Sequence, residues 1–575
     1  MRAGARGLLR LGGMAALLAV FVSAARAQNQ TGTLSPIVVG GGVPYTITLD
    51  AFDFGGASQL PTLHSYALGV YNGQWVLVAG RTNGLHDFTN DGFQNFPPAF
   101  QNTFIWVIDP VAKIVSSRSL QDPTSGLSVA QVDALSSTSA EFTQIGDTLY
   151  IAGGYVYDRV ADNFTTYDTL TALDLAGVVD WVVNSNGTLI SHLRQTSDPL
   201  LRVTGGQMNV IGGRTFLTFG QDFEGPYNTG ANGNYTMQVR AFDIVDNGVT
   251  LSIVNPSSSA PDDDYRRRDL NVMPMMQSDG MGGFNEGLIA FSGVFTLAGG
   301  AWTVPVEINS SGTPSMADPT APATFKQGMN NYEAAHISLY SASRDETHTI
   351  LMGGISLEFY NTTTGQIAYD SFMPFIDSMS SIVRTASGVY TQYYLGEFPS
   401  IPNPSNGNTR FLFGANARFI PAAGIATSDN GMLNLDALTA PTVIGYIFGG
   451  IIAQIPNFGG TGASNLIFQV TYSPVTPTPT PTPTPPPAAP SINVNGKSVK
   501  RTTASSFVIR GKASSSTTSV QWEEGGKKQR ADVRADGGWS IRITSLKPGK
   551  TIVRIRGIGT DGSSTAARTV TIVRR

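Results

Sequence analysis

In this sequence, ionisable side chains recur at a similar distance before the glycine that ends each of several short apolar segments. Five of them stand 13 to 25 positions before such a glycine: His64, Glu141, Arg268, Asp269 and His336. Arg81 and His86 follow the first of these glycines. If each apolar segment belongs to one repeating unit, the seven side chains face a common axis and form a candidate ligand site.

This set of residue types is suited to three kinds of chemistry. Arginine and histidine can bind an anionic sugar, His64 and His336 can contribute to a metal site, and Glu141 can act with a histidine as an acid–base pair. Metal sites need three or four ligands, and the sequence has no His-x-His or His-x-x-x-His spacing, so we expect no metal and no other cofactor. The alternative, that these side chains form hydrogen bonds and ion pairs between repeat units around a solvated channel, stays open.

A strand that ends at a small residue and a glycine occurs six times. The copies are WVLVAG (75–80), LYIAGG (149–154), TFLTFG (215–220), LIAFSG (288–293), ILMGG (350–354) and GYIFGG (445–450). Repetition at this spacing predicts a solenoid, propeller or array with long insertions. Fully apolar strands indicate sheets buried on both faces, and glycine permits a positive φ at the turn.

Further strands follow most of these copies. Third strands are predicted at 104–109, 170–175, 239–244, 302–308 and 466–472, and outer strands at 114–120, 188–195, 250–254 and 389–395. The last copy has no outer strand before a proline-rich segment begins. We therefore expect PYTITLDAF (44–52) to supply it from the N-terminus, because an unpaired sheet edge would otherwise stay exposed.

The pattern resembles kelch-repeat proteins, and more closely a group of secreted bacterial kelch-like proteins. The resemblance covers most of residues 45–472 and rests on LHSYALG (63–69), GQWVLVAGRTNGLH (73–86), EFTQIGDTLYIAGGY (141–155), RRRDLNV (266–272), FSGVF (291–295) and VIGYIFGGI (443–451). It implies an all-β fold: a six-bladed kelch-type β-propeller closed by an N-terminal strand, with the first strand of each blade lining a central channel. The sequence departs from the kelch pattern because no Gly-Gly turn is followed by the usual spaced Tyr and Trp. Galactose oxidase chemistry is excluded, because its site needs a cysteine and the chain has none.

The two ends of the chain predict export and a second domain. Residues 1–27 combine arginines, an apolar stretch and Ala25-Arg26-Ala27, which is typical of a cleaved signal peptide, so we expect a secreted or periplasmic protein without a transmembrane segment. SPVTPTPTPTPTPPPAAP (473–490) predicts an extended linker after a propeller at 28–472. Short alternating strands in 491–575 resemble a bacterial Ig-like repeat and imply a small Ig-like β-sandwich.

Charge is divided between these parts, although the net charge of the whole chain is only −4. Residues 490–575 hold 17 Lys and Arg against five Asp and Glu, and residues 28–489 hold 16 against 36. A basic domain outside the cytoplasm indicates acidic cell-surface polymers as partners rather than nucleic acid. The alternative is a spacer whose cations only face water.

Two functions follow from these observations. The first is an exported, non-catalytic binding or adhesion protein, whose propeller recognises a glycan or a protein and whose basic domain docks at a surface or acts as a spacer. The second is a propeller enzyme acting on sugars, of the epimerase, lyase or hydrolase type. No motif assigns a catalytic residue, and a propeller fold alone is weak support for either function.

Overall fold

Short antiparallel strands dominate the computed structural model, with 50% of residues in strands and 7% in helices. The structure describes residues 33–55, 59–228, 233–297, 299–402, 410–428, 430–457, 460–475, 490–559 and 562–575. The predicted signal peptide and most of the predicted linker lie outside these residues. The chain divides into two compact units, Met1–Pro477 and Thr478–Arg575.

In the described residues, the first unit has six larger sheets, numbered here in chain order; four of them have four antiparallel strands and two have six strands. Sheet 1 comprises Ala67–Tyr71, Gln74–Val78, Phe104–Asp109 and Ile114–Ser119. Sheet 2 comprises Glu141–Ile145, Thr148–Ala152, Thr169–Asp174 and Leu193–Ser197. Sheet 3 comprises Gln207–Ile211, Arg214–Thr218, Val239–Asp246 and Leu251–Ser258.

Sheet 4 follows the same order of strands, and sheets 5 and 6 add two strands each to that order. Sheet 4 comprises Asn271–Ser278, Phe284–Phe291, Val306–Asn309 and Pro314–Met316. Sheet 5 comprises Ala335–Ser341, Glu346–Met352, Ser378–Thr385 and Tyr390–Glu397, flanked by the parallel strands Leu433–Asn434 and Ile37–Val39. Sheet 6 comprises Arg410–Pro421, Thr442–Ala453, Ile467–Pro474 and Tyr45–Ala51, with Ile401–Pro402 and Thr461–Ala463 added.

Insertions between the second and third strands hold three small hairpins. These are Tyr155–Asp158 with Asn163–Thr166, Gln221–Asp222 with Asn234–Tyr235, and Glu358–Asn361 with Gln366–Tyr369. The α-helices are Gly92–Asn95, Val129–Ala134 and Leu175–Asn184, and the 3₁₀ turns are Pro98–Phe100, Pro123–Ser125, Leu189–His192, Pro199–Leu201, Asp263–Tyr265 and Leu435–Ala437. Within the described residues, no helix is long and apolar enough to cross a membrane.

Neighbouring sheets pack face to face through shared apolar clusters. The pairs of second-strand residues that meet in these clusters are Val76 and Ile151 for sheets 1 and 2, Tyr150 and Leu217 for 2 and 3, Phe216 and Leu288 for 3 and 4, Ile289 and Leu351 for 4 and 5, Ile350 and Ile447 for 5 and 6, and Phe448 and Trp75 for 6 and 1. Successive residues of a strand point to opposite faces, so each second strand contacts both neighbouring sheets. This double burial explains why the second strands are apolar throughout.

The second strands of sheets 1 to 5 end at the glycine turns that the sequence predicts, and in sheet 6 the strand continues past Gly450 to Ala453. Gly80, Gly154, Gly220, Gly293, Gly354 and Gly450 have φ between 83° and 93°. A Cβ on Gly80 would lie 2.5 Å from the carbonyl oxygen of His64, so neither the backbone conformation nor the space admits a side chain. The turn brings the strand end against the segment that precedes the first strand of the same sheet.

Backbone hydrogen bonds join neighbouring sheets at the start of their first strands. A residue with a positive φ, between 48° and 70°, stands two positions before the first strand of sheets 1 to 5, and another lies within the first strand of sheet 6; we call these six residues, Ser65, Ser139, Gly205, Asp269, Glu333 and Asn416, the left-handed set. Within the set, N–H groups donate to carbonyl oxygens from Ser139 to Ser65 (3.3 Å), Gly205 to Ser139 (3.1 Å), Asp269 to Gly205 (2.7 Å) and Asn416 to Glu333 (2.7 Å).

Side-chain amides make the two remaining connections between sheets. Asn271 Nδ2 donates to the Asn331 carbonyl at 2.8 Å, which joins sheets 4 and 5. Asn416 Nδ2 donates to Ser65 Oγ at 2.5 Å, which joins sheets 6 and 1. In the described residues, sheets 1 to 6 are therefore each hydrogen-bonded to the next in chain order, and Asn416 of sheet 6 also contacts Ser65 beside sheet 1.

The N-terminal strand pairs where the sequence predicts. Tyr45–Ala51 lies antiparallel to Ile467–Pro474, with Ile47 opposite Tyr472. The latter strand runs two residues into the segment predicted as linker, because Pro474 still pairs with Tyr45. Tyr45, Ile47 and Leu49 are buried in the cluster shared by sheets 5 and 6.

Several predicted strands differ from those observed. Residues 189–192 form a 3₁₀ turn, so the outer strand predicted at 188–195 begins only at Leu193. Residues 302–308 are extended as a strand only from Val306. The helix Leu175–Asn184 was not expected, because its run of apolar residues continues that of the preceding strand; it buries Trp181 against Leu173 and Val107.

The second unit holds eight strands in two sheets around one core. One sheet comprises Ile492–Val494, Phe507–Ala513 and Gly538–Ile543, and the other comprises Val499–Thr502, Arg568–Arg574, Gly549–Gly559, Thr517–Glu524 and Lys527–Asp532. Ile509 and Trp539 from the first sheet contact the same apolar cluster as Val520 and Ile555 from the second.

The role of the N-terminal strand can be tested with a pair of neighbouring substitutions. Ile47 is 4% exposed, and Ile47→Ala should lower the free energy of unfolding by about 2–5 kcal/mol, the usual cost of truncating a buried aliphatic side chain. Thr46 is exposed on the same strand, and Thr46→Ala should change it by less than about 0.5 kcal/mol. Urea denaturation of both variants measures the difference; equal effects would show that the strand does not stabilise the unit.

Candidate functional site

Three carboxyl groups belong to the strand starts of sheets 2, 4 and 5; those of Glu141 and Glu333 are buried, and that of Asp269 is partly exposed. Asp269 and Glu333 are members of the left-handed set, and Glu141 is the first residue of its strand. Glu141 Oε1 accepts a hydrogen bond from Gly206 N–H at 2.7 Å. Asp269 Oδ1 lies close to the adjacent Gly205, since a Cβ added to that glycine would be only 2.9 Å from it. The carboxyl groups of Glu141 and Asp269 therefore flank the same dipeptide, Gly205-Gly206.

Burial makes these acids difficult to ionise. It raises the pKa of Glu141 from 4.5 to about 8, although the Gly206 N–H and Arg418 act in the opposite direction. Burial also raises the pKa of Glu333, and the neighbouring Asp269 raises it further. For Asp269 too burial raises the pKa, which Arg268 partly counteracts. A pKa of about 8 favours the protonated form of Glu141 at neutral pH.

Arg268 lies beside this group and contacts aromatic rings. Its Nε is 3.3 Å from Asp269 Oδ2, and its guanidinium lies 5.4 Å from the centre of the Phe295 ring and 5.9 Å from that of Tyr235. Its backbone pairs with Val294, directly after the glycine turn of sheet 4. Arg268 thus combines an ion pair with cation–π contacts in a buried position.

His64 and Arg81 occupy the corresponding backbone pair of sheet 1. Arg81 Nε donates to Asn83 Oδ1 and its Nη2 to the Pro97 carbonyl, each at 3.0 Å. His64 Nδ1 lies 3.0 Å from Ser65 Oγ, and burial, with a smaller effect of Arg81, lowers the pKa of His64 to about 3. These contacts hold the insertion between the second and third strands of sheet 1, which is a structural role.

His86 belongs to an aromatic cluster on that insertion. Its ring centre is 4.6 Å from that of Tyr227, 4.7 Å from Phe88 and 5.1 Å from Phe96. Burial lowers the pKa of His86 to about 4, and the cations Arg268 and Arg81 lower it further. His86 also lines a surface cavity of about 330 Å³ between residues 83–100 and Gly460-Thr461.

His336 faces a different space, a central cavity of about 360 Å³. The first strands of all six sheets contribute to its lining, through Leu68, Phe142, Gln207, Met273, His336 and Arg418 among others. His336 Nδ1 lies 3.0 Å from the Ala334 carbonyl, and burial lowers the pKa of His336 to about 4. In the described residues, no three His, Asp or Glu side chains are placed to hold a metal ion.

The seven residues predicted from the sequence thus occupy three places. Glu141, Arg268 and Asp269 lie together at the strand starts, His64, Arg81 and His86 lie on or beside the sheet 1 insertion, and His336 lies in the central cavity. Arg418 connects two of these places, because it lines the cavity and lowers the pKa of Glu141, Glu333 and His336. Its guanidinium lies 5.3 Å from the centre of the Phe142 ring.

Sequence reasoning missed Glu333 and Arg418. Glu333 lies 21 positions before Gly354, within the interval that selected His336, so the spacing alone could have identified it. Arg418 gave no such signal, because it stands 32 positions before Gly450, with a long insertion between the two strands of its hairpin.

Comparison with known proteins finds only distant likenesses. No protein-family model and no curated protein matches the chain. Among solved structures, YjhT is 11% identical, covers 72% of this chain and 97% of its own, and has a TM-score of 0.37. The extracellular domain of a one-component system from B. thetaiotaomicron is 10% identical, covers 88% of this chain and 85% of its own, and has a TM-score of 0.16.

A third solved structure matches a smaller part of the chain. The fibronectin(III)-like modules of Clostridium thermocellum CbhA are 10% identical, cover 42% of this chain and 90% of their own, and have a TM-score of 0.14. TM-scores this low carry no argument about function, and the kelch resemblance stays a prediction.

The buried acid Glu141 predicts a pH dependence of stability. Folding raises its pKa from 4.5 to about 8, so the folded state retains a proton that the unfolded state loses, and the free energy of unfolding falls as the pH rises through that interval. Glu141→Gln removes this contribution. Between pH 5 and pH 8, the free energy of unfolding of the variant should therefore fall by about 2 kcal/mol less than that of the wild type.

The measurement is urea denaturation at the two pH values. Glu286→Gln, at a partly exposed position of sheet 4, is the matched control and should follow the wild type. Parallel behaviour of Glu141→Gln and the wild type would contradict a protonated Glu141.

Proposed function

We propose that the first unit is a closed, six-bladed kelch-type β-propeller that binds a glycan in its central cavity. The observation that carries this proposal is the cavity lining, to which the first strand of every sheet contributes. The shared apolar clusters support the same arrangement, because they pair each sheet with the next and sheet 6 with sheet 1. In this arrangement the six sheets are the blades, and Tyr45–Ala51 is the outer strand of the sixth.

The backbone contacts of sheets 6 and 1 further support closure. Gly450 N–H, in the glycine turn of sheet 6, donates to the Leu63 carbonyl before sheet 1 at 2.8 Å. Gly80, Gly154 and Gly220 make the equivalent bond to Ser137, Val203 and Arg267 of the sheet that follows each of them. The contact between the last and the first sheet thus has the same form as the contacts between consecutive sheets.

A polar ligand is proposed because polar residues line the cavity. Asn209 and Arg418 are among them, and each also has one buried polar atom, Oδ1 and Nε, without a hydrogen-bond partner among the described residues. Gln207, Ser338 and His336 add further polar groups, and Phe142 presents an aromatic ring. A few polar groups on a partly apolar wall are typical of small-molecule sites. The hydroxyl groups of a sugar can satisfy them, and Arg418 favours a sugar that carries a carboxylate.

The protein is proposed to act outside the cytoplasm. The signal peptide expected at residues 1–27 supports export, and the proline-rich segment at 473–490 is proposed to link the propeller to an Ig-like β-sandwich at 491–575. On this proposal, the whole chain is a binding or adhesion protein that presents a glycan-binding propeller at the bacterial surface.

A second candidate, an enzyme acting on sugars, is favoured by one observation. Glu141 has a pKa of about 8 and lies near both Asp269 and Arg418. A carboxyl group that stays protonated at neutral pH can serve as a general acid, and neighbouring groups with separated pKa values can divide the acid and base roles.

Binding to a glycan array tests the first proposal. The mature chain, residues 28–575, should bind acidic glycans selectively, and Arg418→Gln should weaken the best hit about tenfold or more, the usual effect of removing a charge-assisted hydrogen bond. Arg214→Gln, which removes the same charge from the hairpin of sheet 3, should leave the affinity unchanged. Absence of selective hits, or equal losses in the two variants, would contradict binding in the central cavity.

The same hits separate binding from catalysis. Each is incubated with the mature chain and analysed by NMR for a change in its covalent structure. Unchanged glycans support the binding protein. Turnover that disappears in Glu141→Gln, while the affinity for the glycan remains, would instead support the enzyme.

A further inference from the structure

One face of the second unit concentrates positive charge. In the five-stranded sheet, Val520, Trp522, Val553, Ile555, Val570 and Ile572 point to the core, so the residues that alternate with them point outward. The basic side chains on the outward face are exposed, and we call them the basic face: Arg501, Lys528, Arg530, Lys550, Arg554 and Arg556.

The strand register arranges four of these cations in two rows. Arg556 is opposite Gln521, which is opposite Arg530 on the next strand. In the next row Arg554 is opposite Glu523, which is opposite Lys528. Neighbouring strands lie about 4.8 Å apart, so cations flank a central polar residue at roughly 10 Å separation in each row.

Little negative charge opposes these cations. Glu523 and Asp532 are the acidic residues on the outward positions of the same sheet. Within the described part of the chain, none of the six cations of the basic face forms an ion pair with a carboxylate. The face therefore presents a positive potential to solvent, which attracts and orients anionic partners.

An apolar strip crosses the same face between the cations. Ile552 is opposite Thr571, which is opposite Val499, and the side chains of Ile552 and Val499 are 56% and 46% exposed. Arg554 and Arg556 lie on one side of this strip, and Lys550 and Arg501 on the other. Two aliphatic side chains are too few to insert into a bilayer, whose interfacial binding requires a continuous apolar face. The C–H face of a sugar ring matches the strip in size.

We infer that the basic face binds an anionic polysaccharide, whose sugar rings pack on Ile552 and Val499 while its carboxylates or sulfates pair with the flanking cations. Arg554 and Arg556 suit this role, because a planar guanidinium can donate two parallel hydrogen bonds to a carboxylate or a sulfate. This binding is independent of the glycan proposed for the central cavity, because it needs only residues of the second unit. It would hold the exported chain on an acidic polymer while the first unit stays free to act.

A pair of charge-reversed variants tests this inference. Immobilised polygalacturonate is the probe, dextran is the neutral control polymer, and the mature chain is measured by biolayer interferometry. The wild type should bind polygalacturonate and lose this binding at high salt, since exposed charges are screened. Arg554→Glu with Arg556→Glu should reduce the affinity about tenfold or more, because several surface ion pairs become repulsions.

The matched control reverses the same charge on the other sheet. Arg510 and Arg542 are exposed on the three-stranded sheet, and Arg510→Glu with Arg542→Glu should change the affinity by less than about threefold. Arg554→Lys with Arg556→Lys keeps the charge and should retain most of the binding. Melting temperatures of all variants are measured beside the affinities, so that loss of folding is recognised.

Several outcomes would overturn the inference. Equal losses in the two charge-reversed variants would show a response to net charge rather than to this face. Undiminished binding in Arg554→Glu with Arg556→Glu would place the polysaccharide elsewhere on the chain. Binding to phosphatidylglycerol vesicles or to duplex DNA without binding to polygalacturonate would replace the polysaccharide with another class of partner.

Discussion

Burial of both faces of every sheet is the constraint on which the first unit depends. In each second strand, successive residues contact different neighbouring sheets. In sheet 1, Trp75 belongs to the apolar cluster shared with sheet 6, and Val76 belongs to the cluster shared with sheet 2. Sheets packed on both faces can approach one another closely only if the backbone turns sharply where their first and second strands meet the neighbouring sheet. The glycine turns and the left-handed set meet this requirement, and their backbone groups hydrogen-bond from sheet to sheet. The same crowding buries Glu141 and Glu333 and partly buries Asp269, so their carboxyl groups resist ionisation.

The left-handed backbone conformation links this packing to chemistry. It is unfavourable for residues with a side chain, and such residues tend to gather at functional sites. Asp269 and Glu333 adopt it with φ of 51° and 48°. Arg418, which lines the cavity beside Phe142, lowers the pKa of Glu333 and so connects this backbone to the cavity. Backbone hydrogen bonds between sheets hold these groups in position, which would reduce the cost of ordering them if a ligand binds there.

The sequence predicts the parts of this unit that depend on local pattern. The six strand–glycine segments were found because apolar runs and glycine turns have direct causes in burial and in φ. The strand at the N-terminus was also located, because the missing outer strand of sheet 6 required a partner. First strands such as Arg410–Pro421 were not located, since they line a cavity and mix polar with apolar residues. The candidate site was divided for the same reason: spacing along the chain does not distinguish Glu141, at the strand starts, from His336, further along a strand in the cavity, or from His86, on an insertion. The linker, the signal peptide and the Ig-like character of residues 491–575 stay predictions.

The pairing of Tyr45–Ala51 with Ile467–Pro474 also sets an order of events during synthesis. A chain emerges from the ribosome with its N-terminus first, so this strand is made more than 400 residues before its partner. Until then the strand has no hydrogen-bonding partner, and the side chains of Tyr45, Ile47 and Leu49 lack the part of their apolar cluster that Phe468, Val470 and Tyr472 supply. The pairing can consequently form only after the chain has been synthesised through its partner strand. A polypeptide that terminates before residue 467 cannot cover these side chains, and it presents the exposed strand by which quality-control proteases recognise unfinished proteins.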